Sequence, residues 1–157
     1  MLRASIDLMG GEKAPIAVLE AASKFDALHF VFVGTKESRQ LIANYNIKHY
    51  SFVEAGCVLE EGKRFANIDL EQSSLYLAID QVGNGNADFV LSAGPSGYYM
   101  LLAKRILGTL ANLNRPALAA VIPSSRGGVV MLDLGANLTC DALDLAKFGV
   151  IGAALAK

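Results

Sequence analysis

A chain of 157 residues is long enough for one ordinary domain with a buried core, and 53% hydrophobic against 18% charged residues is a globular composition. A net charge of -1, with Lys and Arg scattered along the chain, offers no basic surplus to neutralise phosphates and argues against a nucleic-acid binder. Cys57 and Cys140 are too few for a disulfide framework, no signal-peptide pattern opens the chain, and no apolar run reaches the roughly 18 residues of a membrane span, so a cytoplasmic protein is expected.

From the N-terminus, ASIDL reads as a strand, MGGEKAP as a loop and IAVLEAASKF as a helix. LHFVFV is a near-continuous apolar strand; after Gly34, Thr35 is placed to cap the helix KESRQLIANY. YSFVE is a third strand. The following AGCVLEEGKRFANI is long for a plain connection, which marks it as a candidate functional segment. Asp69 and Gln72 resemble a capping box, and Leu75, Ala78, Ile79 and Val82 then recur on one helical face. DFVLS is a strand and YYMLLAKRILGTLA a helix. ALAAVI and VVMLDL are strands joined by PSSRGG, too short for a crossover helix, so this pair is expected to be antiparallel. The last helix, DALDLAKFGVIGAALA, is apolar enough to call for burial within the chain or on a partner. Strands without polar alternation, separated by helices, predict a sheet covered on both faces: an α/β fold, mostly parallel, in a single domain over 1–157.

Ligands of open α/β sheets bind beyond the carboxyl ends of the strands. The segments there are DLMGGEKAP, SAGPSG and DLGANLTCD, all rich in small residues that let a ligand approach the backbone. With Gly94 near an N-cap and Pro95 at the first helical position, the N–H groups of Ser96, Gly97 and Tyr98 and the Ser96 hydroxyl would converge on an anion. A tight turn that needs small residues for packing is the competing reading.

In the last segment Gly135 and Ala136 make a turn, and the Asn137 amide is placed to donate to a carbonyl or phosphoryl oxygen. Asp133 and Asp7 each end a strand; they are read as acceptors for loop N–H groups, because an unpaired carboxylate would repel phosphate. A second enzyme class makes the same pair magnesium ligands of a phosphohydrolase or phosphotransferase. Cys140 reads as an inert thiol, with no His near it in sequence, and no Cys/His cluster suggests zinc. GNGNAD follows a helix and precedes a strand, the reverse of a dinucleotide fingerprint, and GPSG lacks the Lys-Ser/Thr of a Walker loop. No cofactor and no metal are expected.

Together and in order, DLMGGEKAP, VLSAGPSGYYM and VMLDLGANLTCD, with NRPALAAVIP and the pair Ser73-Ser74, resemble the phosphate acyltransferases of bacterial phospholipid synthesis along essentially the whole chain. The resemblance implies a Rossmann-like three-layer αβα fold similar to isocitrate dehydrogenases and phosphate acetyltransferases. It further implies transfer of a fatty acyl group from acyl carrier protein to inorganic phosphate by a homodimer that touches the membrane peripherally. On this likeness Ser96 and Gly97 bind phosphate, and Ser92, Gly94, Gly135 and Ala136 line the phosphate and acyl site. Asn137 contacts the oxyanion or phosphate, Asp7 and Asp133 shape the catalytic loops, and Gly10 and Gly11 allow close approach.

The chain departs from the family pattern at Pro95-Ser96, where Asn-Thr is usual, and at Glu12, where Asp is usual. It departs again at Glu71-Gln72, which replace a basic pair; Lys63 and Arg64 are the nearest compensating cations. Only the N-terminal half of the pattern is present, so the alternative is a truncated, non-catalytic binding or assembly module.

Overall fold

Residues 1–60, 62, 69–111, 113–125 and 127–156 are described by the computed structural model. Lys63 and Arg64 lie outside these residues. The chain forms two compact units, Met1–Gly108 and Thr109–Lys157.

The first unit is built on four parallel strands: β1 (Leu2–Asp7), β2 (Leu28–Gly34), β3 (Tyr50–Glu54) and β4 (Phe89–Leu91). Their spatial order is β3-β2-β1-β4, so the direction of winding reverses at β1. Alternate residues serve opposite layers, as the two-residue period of a strand requires. Ala4, Ile6, Phe30 and Phe32 pack with Leu19 and Ala22 of α1 (Ile16–Ala22) and Ile42 of α2 (Lys36–Ile42). On the other face Val33 packs with Ala78 of α3 (Ser74–Gly83), while Leu75 and Ile79 of α3 meet Leu102 of α4 (Ser96–Leu107). The Ser5 hydroxyl, fully buried, donates to the Ala78 carbonyl at 2.8 Å and ties β1 to α3. A three-layer α/β fold with a mostly parallel sheet is therefore observed.

The helix ends show where local signals acted. Thr35 caps α2 by accepting from the Ser38 N–H, as its position predicts. Asp69 does not open a capping box; it caps a short 3-10 turn by accepting from the Glu71 N–H, and Ser73 caps α3 by accepting from the Tyr76 N–H. α1 stops at Ala22 and α4 at Leu107, both short of their predicted ends.

In the second unit β5 (Ala120–Ser124) and β6 (Gly127–Met131) form the expected antiparallel hairpin. α5 (Ala142–Leu155) is opened by a capping box between Asp141 and Asp144. Burial of α5 is confined to Phe148 in this chain; Leu143, Leu145, Val150 and Leu155 are exposed. Among the described residues no helix is long and apolar enough to cross a membrane.

The Ser73 hydroxyl also donates to the Leu70 carbonyl at 2.6 Å, so one buried side chain joins the turn to α3. Ser73→Ala is expected to lower stability by about 1–2 kcal/mol, read from the midpoint of urea unfolding, with Ser73→Thr, which keeps the hydroxyl, recovering part of the loss.

Candidate functional site

Winding order places the site. Where neighbouring strands send their connections in opposite directions, a crevice opens beyond their carboxyl ends. Here that point lies between β1 and β4, and the loops that follow them are two of the three glycine-rich segments. Asp7, at the end of β1, is 3% exposed. Its Oδ1 accepts the Met9 N–H at 3.0 Å and its Oδ2 accepts the Ser92 hydroxyl at 2.7 Å. Ser92 Oγ in turn accepts the Gly94 N–H at 3.0 Å. A chain of three hydrogen bonds thus locks the β1 loop to the β4 loop.

Close approach makes glycine obligatory at position 10. A Cβ built there would lie 2.6 Å from both the Gly94 nitrogen and Ser92 Oγ, distances no real Cβ tolerates. Gly11, at a φ of 98°, sits against the Ala93 side chain. Asp7, Gly10, Gly11, Ser92 and Gly94 are therefore gathered at one junction. The Asp7 carboxylate, the Ser92 hydroxyl and the Gly94 N–H are all engaged within it.

The start of α4 differs from expectation by one residue. Pro95, with φ -61° and ψ 120°, occupies the N-cap itself, and Ser96 is the first helical residue. Ser96 and Gly97 lie in the first turn, where the helix supplies no acceptors for its own N–H groups and the dipole end is positive. Both are exposed, and nothing lies within 4 Å of a Cβ built on Gly97. At the other end of α4, Glu71, one of the acidic departures, pairs with Arg105 of the last turn at 2.8 Å on the surface.

Asp133, Gly135, Ala136 and Asn137 belong to the second unit and form a self-contained turn. Asp133 accepts the Leu118 N–H at 3.0 Å, the Asn137 N–H at 2.7 Å and the Asn137 amide at 3.0 Å. The same amide also donates to the Pro116 carbonyl at 2.9 Å, so both its hydrogens are engaged. Burial pulls the Asp133 pKa upward, but the hydrogen bonds from Asn137, Leu118 and Ala136 outweigh it and hold the carboxyl below its ordinary range. Gly135 takes a φ of 76°, which favours glycine at this turn. Cys57 donates to the Asp69 carbonyl, and its thiol is pushed up by burial and then by Asp69, which keeps it protonated.

Sequence reasoning did not single out Leu118 and Pro116, whose backbone groups anchor the Asp133 turn, or Ala93, which backs Gly11. The first two lie in NRPALAAVIP, which entered only as part of the family likeness. None of these backbone contacts leaves a signature in residue type.

A three-layer α/β unit with small-residue loops meeting at its switch point belongs to the broad class of Rossmann-like ligand-binding folds. The chain belongs, more narrowly, to the fatty acid synthesis protein family, whose model matches residues 2–157. It is similar to the phosphate acyltransferase of Granulibacter bethesdensis, 40% identical over 98% of this chain and 44% of that protein. Likeness to the phosphate acyltransferases of Acidiphilium cryptum (39% identical, 98% of this chain, 42% of that protein) and Rhizobium etli (35%, 100% and 48%) is of the same kind. The chain thus spans less than half the length of these relatives.

Gly10→Ala is expected to force the two loops apart and cost about 1–3 kcal/mol in chemical unfolding, whereas Gly97→Ala, with open space around it, should be neutral or slightly stabilising. At Asp133 the folded pKa lies below the unfolded value of about 3.9, so its contribution is full above that pH and is lost as pH falls through the folded value. Unfolding followed from neutral pH into the acid range should show this loss in the parent chain and a smaller one in Asp133→Asn.

Proposed function

We propose that this chain carries the phosphate-handling part of a phosphate acyltransferase, which moves a fatty acyl group from an acyl carrier protein thioester to inorganic phosphate. The family match across residues 2–157 carries this reading, together with names of relatives that specify acyl transfer to phosphate. The chemistry asks little of the side chains. Phosphate is already a nucleophile: an oxygen attacks the thioester carbonyl, the new C–O bond gives acyl phosphate, and the C–S bond breaks to release the carrier thiol. What the protein supplies is position and charge stabilisation.

In this reading the Ser96 and Gly97 N–H groups and the Ser96 hydroxyl hold the phosphate at the positive end of α4. Gly10 and Gly11 keep the opposing wall free of side chains. Asp7, Ser92 and Gly94 set the distance between the walls. Asn137 and Asp133 hold the Gly135–Ala136 turn, since the Asn137 amide hydrogens are engaged with Pro116 and Asp133. The magnesium reading is disfavoured, because the Asp7 and Asp133 carboxylates are both bonded to their own loops. Acyl carrier protein and phosphate are the partners this assigns, in a homodimeric, cytoplasmic enzyme with peripheral membrane contact.

A non-catalytic assembly module is the second reading, favoured by the exposed leucines and valine of α5. One assay separates the two. Purified chain, acyl carrier protein thioester and phosphate should give an acyl phosphate signal in phosphorus NMR. Ser96→Ala, which removes the hydroxyl, should raise the phosphate KM about tenfold, the equivalent of one lost hydrogen bond to a charged group. Absence of acyl phosphate favours the assembly module.

A further inference from the structure

In the second unit two irregular segments hold each other along their length. Leu118 donates its N–H to Asp133 at 3.0 Å and accepts the Leu134 N–H at 3.3 Å, and the Pro116 carbonyl accepts the Asn137 amide at 2.9 Å. One residue earlier, Arg115 Nη1 donates to the Thr139 carbonyl at 2.5 Å and lies 3.6 Å from the Asp144 carboxylate. From Leu118 back to Arg115 the partners run forward from Asp133 to Asp144. The loop is thus pinned at its start by Leu118 and Pro116 and at its end by Arg115.

These bonds hold the loop because burial does not. Between the pins Leu134 is 41% and Leu138 98% exposed, and Gly135 takes a φ of 76°. The Asp144 carboxylate does not by itself account for the guanidinium. It already accepts the Asp141 N–H, and it stands in the first turn of α5, where the helix dipole favours negative charge. The shorter contact is the one to Thr139, a charge-assisted hydrogen bond to a backbone carbonyl, and it fixes the path of the loop rather than a charge.

We propose that Arg115 is a positioning residue, which fixes the turn of Gly135, Ala136 and Asn137 by fastening the far end of its loop. The step that the turn serves rests on the acyltransferase reading above; the fastening rests on the hydrogen bonds alone. In that reading phosphate is held at α4, so Arg115 acts on the rate of transfer and not on phosphate binding. Loss of the guanidinium frees the Thr139 carbonyl and leaves the turn pinned at one end. Because a single nitrogen, Nη1, makes both contacts, a lysine ammonium can take over part of the task without the full fork of an arginine.

Arg115→Met keeps an apolar stem and removes the donors. Amide hydrogen exchange in the isotope-labelled chain should then run at least about tenfold faster at Asn137 and Asp141, whose N–H groups are bonded within the loop and its cap, and stay unchanged in the β5–β6 hairpin. In the acyl phosphate assay kcat should fall about tenfold with the phosphate KM unchanged, and Arg115→Lys should recover part of both losses. Loop exchange equal to the parent's overturns the proposal. An equal acceleration in the hairpin also overturns it, since Arg115 would then be a general stabiliser of the unit. A loosened loop with kcat unchanged, or a change in KM alone, removes the positioning role.

The two readings fail separately. A parent chain that forms no acyl phosphate removes the acyltransferase reading, and exchange at Asn137 and Asp141 still decides whether Arg115 fastens the loop. Acyl phosphate formed at an undiminished rate by Arg115→Met removes the positioning role and spares the acyltransferase.

Discussion

Parallel pairing of β1 with β4 brings together two loops 85 residues apart in sequence, and a hydrogen bond from Ser92 to the buried Asp7 carboxylate holds them there. A carboxylate taken out of water without partners would cost several kcal/mol or shed its charge. Here the Met9 N–H and the Ser92 hydroxyl satisfy it, and the Gly94 N–H completes the chain. The small residues around this link follow from it. Loops drawn this close have no room for a Cβ at Gly10, and the resulting crevice is walled by backbone rather than by side chains.

Much of the fold was legible because burial writes a simple pattern. Phe30 and Phe32 must face one layer while Val31 and Val33 face the other, and such a strand, apolar on both faces, belongs inside an α/β sheet. PSSRGG, too short for a crossover helix, left the β5–β6 pair no choice but to run antiparallel. Thr35 capped α2 because the interaction is local and the hydroxyl reaches the N–H three residues on. Local rules failed where two neighbours offered the same chemistry. Asp69 and Ser73 can each cap a turn, and the chain uses both, on different elements. Pro95 fits either the N-cap or the first helical position, since its φ suits both; its ψ of 120° decides for the cap, and no residue nearby announces that value.

The candidate site was legible as a set of loops but not as a set of contacts. Glycine and serine at strand ends mark where backbone can come close. They do not say which groups remain open to a ligand. Ser92 and Asn137 have donors that look available in sequence, yet the first is bonded to Asp7 and the second to Pro116 and Asp133. These partners lie 85 and 21 residues away for Ser92 and for the Asn137–Pro116 pair, beyond the reach of any spacing rule. For the last helix, composition marks an apolar surface without saying which side chains are covered: Phe148 is buried, while Leu143, Leu145, Val150 and Leu155 are exposed.

Charge also limits what the first unit can do. Among the described residues, the buried Asp7 carboxyl at the junction accepts from a neutral hydroxyl and a backbone N–H and from no cation. Lys104 and Arg105, the cations of α4, both lie in its last turn, and Arg105 is bound to Glu71. The cations of α4 thus sit at its negative end, where the helix dipole favours them, while the positive end lies at the first turn, beside the β4 loop that the Asp7–Ser92 bond holds in place.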